Sequence, residues 1–187
     1  MSANEMDPEA SKSMPDLAYY PLTPERWTDF EHLFGVRGAC GGCWCMYWRL
    51  SHATYEFQAG EMNRFNMKAI VLSGEVPGIL AYLDGVPVGW CAIAPRQSYP
   101  RLANSRLLKP VDDQPVWSIV CFFVARTHRR QGVTRGLIGA ALDFARQQGA
   151  RIVEAYPTIP KASNSPPVFI FTGVASAFLN AGFVEVA

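Results

Sequence analysis

The sequence predicts one α/β domain built around a single mixed sheet. Three stretches lead to this. GILAYLDGVPVGWCAIAP (78–95) sets two apolar runs on either side of Asp84-Gly85, the chemistry of a tight hairpin turn. VWSIVCFFVA (116–125) is apolar and rich in β-branched and aromatic residues, as a buried strand should be, and it runs through a short basic turn into an amphipathic segment. FTGVASAFLNAGFVEV (171–186) closes the chain as helix, Gly182 turn and strand.

The elements follow in order. LAYYPLT (17–23) reads as a first strand. TPERWTDFEHLF (23–34) reads as a helix, with Thr23 as cap, Pro24 at the first position, and Trp27, Phe30, Leu33 and Phe34 at helical spacing. GACGGCWCMYW (38–48) is too glycine-rich for regular structure and predicts a loop or broken helix. TYEFQAGEMNRFNMKAIVLSG (54–74) holds a second helix ending near Gly74. After the hairpin, 96–115 reads as a long loop, of a length that is often functional. In RQGVTRGLIGAALDFARQQGA (130–150), Val133, Leu137, Ala141, Phe144 and Ala145 share a stripe, and Gly149 fits a left-handed stop. RIVEAYP (151–157) is a further short strand, and SNSPP (163–167) breaks the chain again.

Composition narrows the function classes. The 187 residues carry a net charge of +1, which gives no long-range attraction to nucleic acid or an anionic membrane. No apolar run approaches the roughly 20 residues of a membrane span. Residues 1–15 are polar, without the apolar centre of a secretory signal, and read as a disordered tail before a domain over 16–187. The expected location is the cytoplasm. Five cysteines, an odd number in a chain of this size, predict free thiols.

CFFVARTHRRQGVTRGLI (121–138) holds the clearest chemistry. A strand ends at Val124, and a helix opens near Gly132 after Arg126, Arg129 and Arg130. Unpaired N–H groups and the positive dipole end of a helix bind phosphate. The stretch therefore reads as a pyrophosphate cradle. It is neither a P-loop nor a Gly-x-Gly-x-x-Gly turn.

This stretch resembles the coenzyme A signature of the GCN5-related N-acetyltransferases, the GNAT superfamily. The pattern Gln/Arg-x-x-Gly-x-Gly/Ala is matched by Arg129-Arg130-Gln131-Gly132-Val133-Thr134, with FFV ending a strand five residues upstream. The hairpin is similar to that family's second and third strands, and the Gly182-Phe183 ending to its closing helix–turn–strand. The resemblance implies a GNAT fold: a mixed sheet of about six to seven strands, with about four helices on its two faces. It implies acetyl-CoA, or another acyl-CoA, as co-substrate; no metal is expected. Arg129, Arg130, Gln131, Gly132, Val133 and Thr134 would hold the pyrophosphate. Phe122, Phe123 and Val124 would hold the pantetheine arm and polarise the thioester carbonyl.

Three positions depart from the family pattern. Thr134 stands where Gly or Ala is usual, Leu179 where many members have an acidic tyrosine, and Ser118 where histone-acetylating members have a basic glutamate. The proton transfers then fall to other groups. Glu154, a charge inside an apolar strand, is the candidate base; Ser118 could order a water and Tyr156 is the nearest candidate acid. Glu61 and Asp112 are weaker candidates.

The cysteine-rich stretch offers Cys40-x-x-Cys43 and Cys45, with His32 or His52 as a conceivable fourth zinc ligand, but no second spaced pair. Zinc, thiol redox chemistry and plain packing all remain open, with packing favoured. The resemblance puts this region beside the acceptor channel, so Trp44, Tyr47, Trp48 and Trp90 are candidate acceptor contacts. The expected function is transfer of an acetyl group to a primary amine of a small molecule. The alternatives are a peptide or protein amine, or an acyl-CoA-binding module without turnover. The short chain after Phe183 leaves a sheet edge that a homodimer could cover.

Overall fold

The computed structural model describes residues 16–159 and 169–186. One five-stranded sheet runs in the order β1 (Leu17–Pro21), β2 (Gly78–Leu83), β3 (Val86–Pro95), β4 (Trp117–Val124), β5 (Val153–Ala155). The first three pairings are antiparallel and β4–β5 is parallel, so the sheet is mixed as predicted. Asp84 and Gly85 both have positive φ, the conformation a two-residue hairpin turn demands.

Six α-helices lie among the described residues, against the four expected: α1 (Trp27–Phe34), α2 (His52–Phe57), α3 (Glu61–Leu72), α4 (Pro100–Ala103), α5 (Val133–Gln147) and α6 (Ala175–Leu179). The excess has local causes. Gly60, at φ 87°, breaks the segment after the cysteine stretch into α2 and α3. The predicted loop over 96–115 holds a short turn and the four-residue α4, opened by Pro100. Thr23 does not cap a backbone N–H; its hydroxyl meets Arg26 instead, and a turn at Pro24–Arg26 leads into α1. None of the described helices is long and apolar enough to cross a membrane.

Among the described residues the expected six to seven strands are corrected to five. Among the described residues no strand follows α6. Phe183 turns back onto Phe178, with ring centroids 5.0 Å apart and its N–H on the Phe178 carbonyl, and Val184 and Val186 are left exposed. The expected N-terminal tail and the SNSPP break lie outside the described residues.

Two cores flank the sheet. On one face α1, α3 and the cysteine stretch surround Phe30, Trp44, Met67 and Trp90. On the other, α5 and α6 bury Val133, Leu137, Ile138, Ala141, Ala145 and Phe178. β4 feeds both through a bulge. Its register with β3 slips at Val120, so Ser118 and Val120 share a face with Cys121 and Phe123, whereas Ile119, Phe122 and Val124 face α5.

Gly78 sits where β2 approaches β3. A Cβ there would collide with the Cys91 carbonyl and the indole of Trp90, which is fully buried and cannot yield. Gly78→Ala should therefore destabilise the fold by about 1–3 kcal/mol, read as a lower denaturation midpoint with unchanged slope.

Candidate active site

The turn from β4 to α5 has the features an anion site needs. Arg130 adopts φ 62°, unusual for a side chain with a Cβ, and Gly132 follows at φ 82° as the residue before α5. No side chain caps this helix, and its first backbone bond is donated by Gly136 to the Gly132 carbonyl, which leaves the preceding N–H groups free of helical partners. Gln131 Nε2 braces the turn on the Thr127 carbonyl at 3.0 Å, and Arg129 Nε donates to the Val124 carbonyl at 3.0 Å. Arg129, Arg130 and Gln131 are exposed. The Val133 side chain packs into the core under Gly89, so this residue can offer a ligand only its backbone.

Upstream, the Phe122 N–H donates to the Phe171 carbonyl at 2.6 Å. Val124 presents its N–H to the same side by strand alternation, past the end of β5. The two strands pair only from Trp117 to Ile119, and their divergence opens the sheet at Phe122–Val124.

Ser118, Glu154 and Tyr156 come together. Ser118 and Glu154 are register partners across the β4–β5 ladder. The fully buried Ser118 hydroxyl donates to Glu154 Oε1 at 2.5 Å, and Arg96 Nη1 donates to the same oxygen at 2.6 Å. Arg96 Nη1 also meets the Tyr156 hydroxyl, and Nη2 donates to the Leu108 carbonyl at 2.6 Å. Glu154 is thus ion-paired, and this pairing explains a carboxylate inside an apolar strand; Oε2 makes no hydrogen bond with the described residues. Burial, reinforced by Glu154, raises the Tyr156 pKa well above the ordinary tyrosine value, so the hydroxyl keeps its proton. The sequence calls for an arginine partner to Glu154 unless that carboxylate is functional, but does not single out Arg96. The signal for it was the unpaired acid in an apolar strand, which required a cation. Leu179 is exposed at the end of α6, and Glu61 lies away on α3, paired with Arg64.

The aromatic candidates divide. Trp90 is fully buried and donates its indole N–H to Cys45 Sγ at 3.2 Å, and Trp44 is 3% exposed and stacks on Phe34. The expectation that these two face an acceptor is corrected: they are core. Tyr47 and Trp48 do line an open cavity. All five cysteines are free thiols. Among the described residues no three His, Cys, Asp or Glu side chains converge as a metal site. The neighbouring Cys121 thiol and the Trp90 indole N–H draw the Cys45 pKa below the usual range, and Cys45 and burial raise that of Cys121.

A family model described as the acetyltransferase (GNAT) family matches residues 43–164, more than half of the chain. The chain belongs to the GNAT family. Acetyl transfer is the chemistry of that family, and the β4–α5 turn of this GNAT domain lies inside the matched segment. No curated protein matches the sequence. Among solved structures, the chain is similar to the aminoglycoside acetyltransferase AAC(6')-Iy bound to the bisubstrate analogue CoA-S-monomethyl-acetylneamine, at 17% identity, TM-score 0.58, and 92% and 93% coverage of the two chains. It is also similar to AAC(6')-IG from Acinetobacter haemolyticus, at 18% identity, TM-score 0.51, and 91% and 92% coverage. At such identities the likeness shows a shared GNAT fold.

Burial also raises the pKa of Tyr82 and Tyr99, and pushes that of Tyr55 up to about 12. An unfolded tyrosine ionises near pH 10, so above that pH the unfolded state holds fewer of these protons than the folded one. The stability these groups contribute is fully present below about pH 10 and is lost as pH rises towards the folded values. Alkaline titration followed at the tyrosinate absorbance should show Tyr82, Tyr99 and Tyr156 ionising together with unfolding rather than before it.

Proposed function

We propose that this GNAT domain transfers an acetyl group from acetyl-CoA to the primary amine of a small molecule, by direct attack in a ternary complex. The observation that carries the reading is β4 itself. One end runs into the uncapped, arginine-flanked N-terminus of α5, and the other holds Ser118 against Glu154. About 20 Å of strand separates Ser118 from Val124, a span suited to an extended cofactor arm.

The Gly132, Val133 and Thr134 N–H groups receive the pyrophosphate, with Arg129 and Arg130 adding charge and Gln131 holding the turn. The strand at Phe122, Phe123 and Val124 takes the pantetheine arm and polarises the thioester carbonyl. The acceptor nitrogen bonds to the acetyl carbon and the carbon–sulfur bond breaks. Glu154, directly or through a water ordered by Ser118, takes a proton from the acceptor ammonium, and the free amine that results attacks. Tyr156 is the acid placed to protonate the departing thiolate. The related structures whose names specify aminoglycoside acetyltransferases are consistent with a small-molecule amine.

The test is thiol release from acetyl-CoA, followed with a thiol-trapping reagent across a panel of small primary amines, peptides and polyamines. Amine-dependent release with small amines is expected. Tight acetyl-CoA binding without release under any amine would sink the enzymatic reading.

A further inference from the structure

On the face of the sheet that carries α1, α3 and the cysteine stretch lies a cavity of about 410 Å³. Tyr47, Trp48 and Ser51 form one wall, and Arg101, Asn104 and Ser105 the other. The Arg101 guanidinium lies over Tyr47, with Cζ 3.9 Å from the ring centroid, and 5.5 Å from that of Tyr55. Its Nε makes a long bond to the Leu50 carbonyl at 3.4 Å. Its Nη2 is buried and has no hydrogen-bond partner among the described residues. Trp48 is 9% exposed, and its buried indole N–H also lacks a partner among the described residues.

Buried donors are nearly always satisfied, so two orphaned donors on residues that line one cavity point to an acceptor group that the described residues do not supply. Both are donors only. A guanidinium beside an indole N–H suits an oxyanion, and a carboxylate in particular can bridge them. The lining supplies the fixed cation of Arg101 and the exposed imidazole of His52, and no carboxylate. Glu56, solvent-exposed, lies 4.0 Å from His52. Such a field repels polycations. The rest of the lining is the rings of Tyr47 and Trp48 together with the polar side chains of Ser51, Asn104 and Ser105. Tyr47 meets Phe171 edge-on at 5.6 Å, and the Phe171 carbonyl holds the Phe122 N–H, so contacts link the cavity lining to β4 through Phe171.

We infer that this cavity binds the carboxylate of the acceptor, and that the amine acetylated belongs to a compound with an apolar or aromatic body and a carboxylate, such as an aromatic α-amino acid. The inference rests on the acetyltransferase reading above, but its test does not depend on turnover.

The test is calorimetric titration of the full chain with 3-phenylpropionate and, separately, with phenethylamine, which share a body and differ in the charged end. Saturable binding of the carboxylate is expected, with the amine at least about tenfold weaker. Arg101→Gln should weaken carboxylate binding by about tenfold or more, and Trp48→Phe, which keeps the ring and removes the N–H, by several-fold. Binding of phenethylamine as tight as that of the carboxylate, or carboxylate binding insensitive to both substitutions, would overturn the inference. So would absence of carboxylate binding in the unaltered protein, even if thiol release with other amines upheld the acetyltransferase reading. Carboxylate bound as expected with no thiol released under any amine would uphold the cavity and overturn that reading.

Discussion

Replacing Thr134 with aspartate should raise the KM for acetyl-CoA by about 10- to 100-fold and leave the fold intact or slightly firmer. The two effects run in opposite directions for one reason. A carboxylate in the first turn of α5 satisfies the free N–H groups and the positive end of the helix dipole, a stabilisation of about 0.3–1 kcal/mol. The same carboxylate occupies the position proposed for pyrophosphate and repels it. Thr134→Ala keeps the backbone N–H and should bind acetyl-CoA within a few-fold of the native chain. Steady-state kinetics with varied acetyl-CoA, alongside a thermal melt, check both halves. An unchanged KM in the aspartate variant would remove the α5 N-terminus from the cofactor site.

Glu154→Gln should lower kcat by about 100-fold or more, the range of a lost general base. It should also destabilise the fold, because Arg96 loses the charged partner of a largely buried ion pair; breaking such a pair from one side costs about 3–5 kcal/mol. Activity and stability can be separated. The double variant Arg96→Met with Glu154→Gln removes both charges, so part of the stability should return while kcat stays low. If the double variant recovered activity along with stability, Glu154 would be structural, and the base would lie elsewhere.

How far the sequence disclosed this arrangement depended on the range of the interactions. The hairpin was legible because Asp84-Gly85 dictates its own turn. The β4–α5 cradle was legible because strand, basic turn and Gly132 are contiguous. The Arg96–Glu154–Tyr156 network was only half legible, since its cation comes from the end of β3, 58 residues before Glu154. The bulge at Val120 depends on pairing with β3 and leaves no mark in the alternation of a strand that is apolar on both faces apart from Ser118. Trp90 and Trp44 resemble pocket residues in composition; only the packing of α1 against β3 shows them to be core. The closing strand failed for a similar reason: an apolar FVEV tail fits a strand, but Phe183 finds Phe178 instead. Arg101 sits in a segment that reads as a loop, and only its stacking on Tyr47 in the fold shows that it helps to line a cavity.

The central claim is direct transfer from acetyl-CoA to an amine held beside it. Initial rates of thiol release, measured while both acetyl-CoA and a small amine are varied, test it most directly. Double-reciprocal lines that intersect are predicted, because both substrates must be bound before the carbon–sulfur bond breaks. Parallel lines, the mark of a covalent acetyl-enzyme, or release that does not depend on the amine, would contradict it.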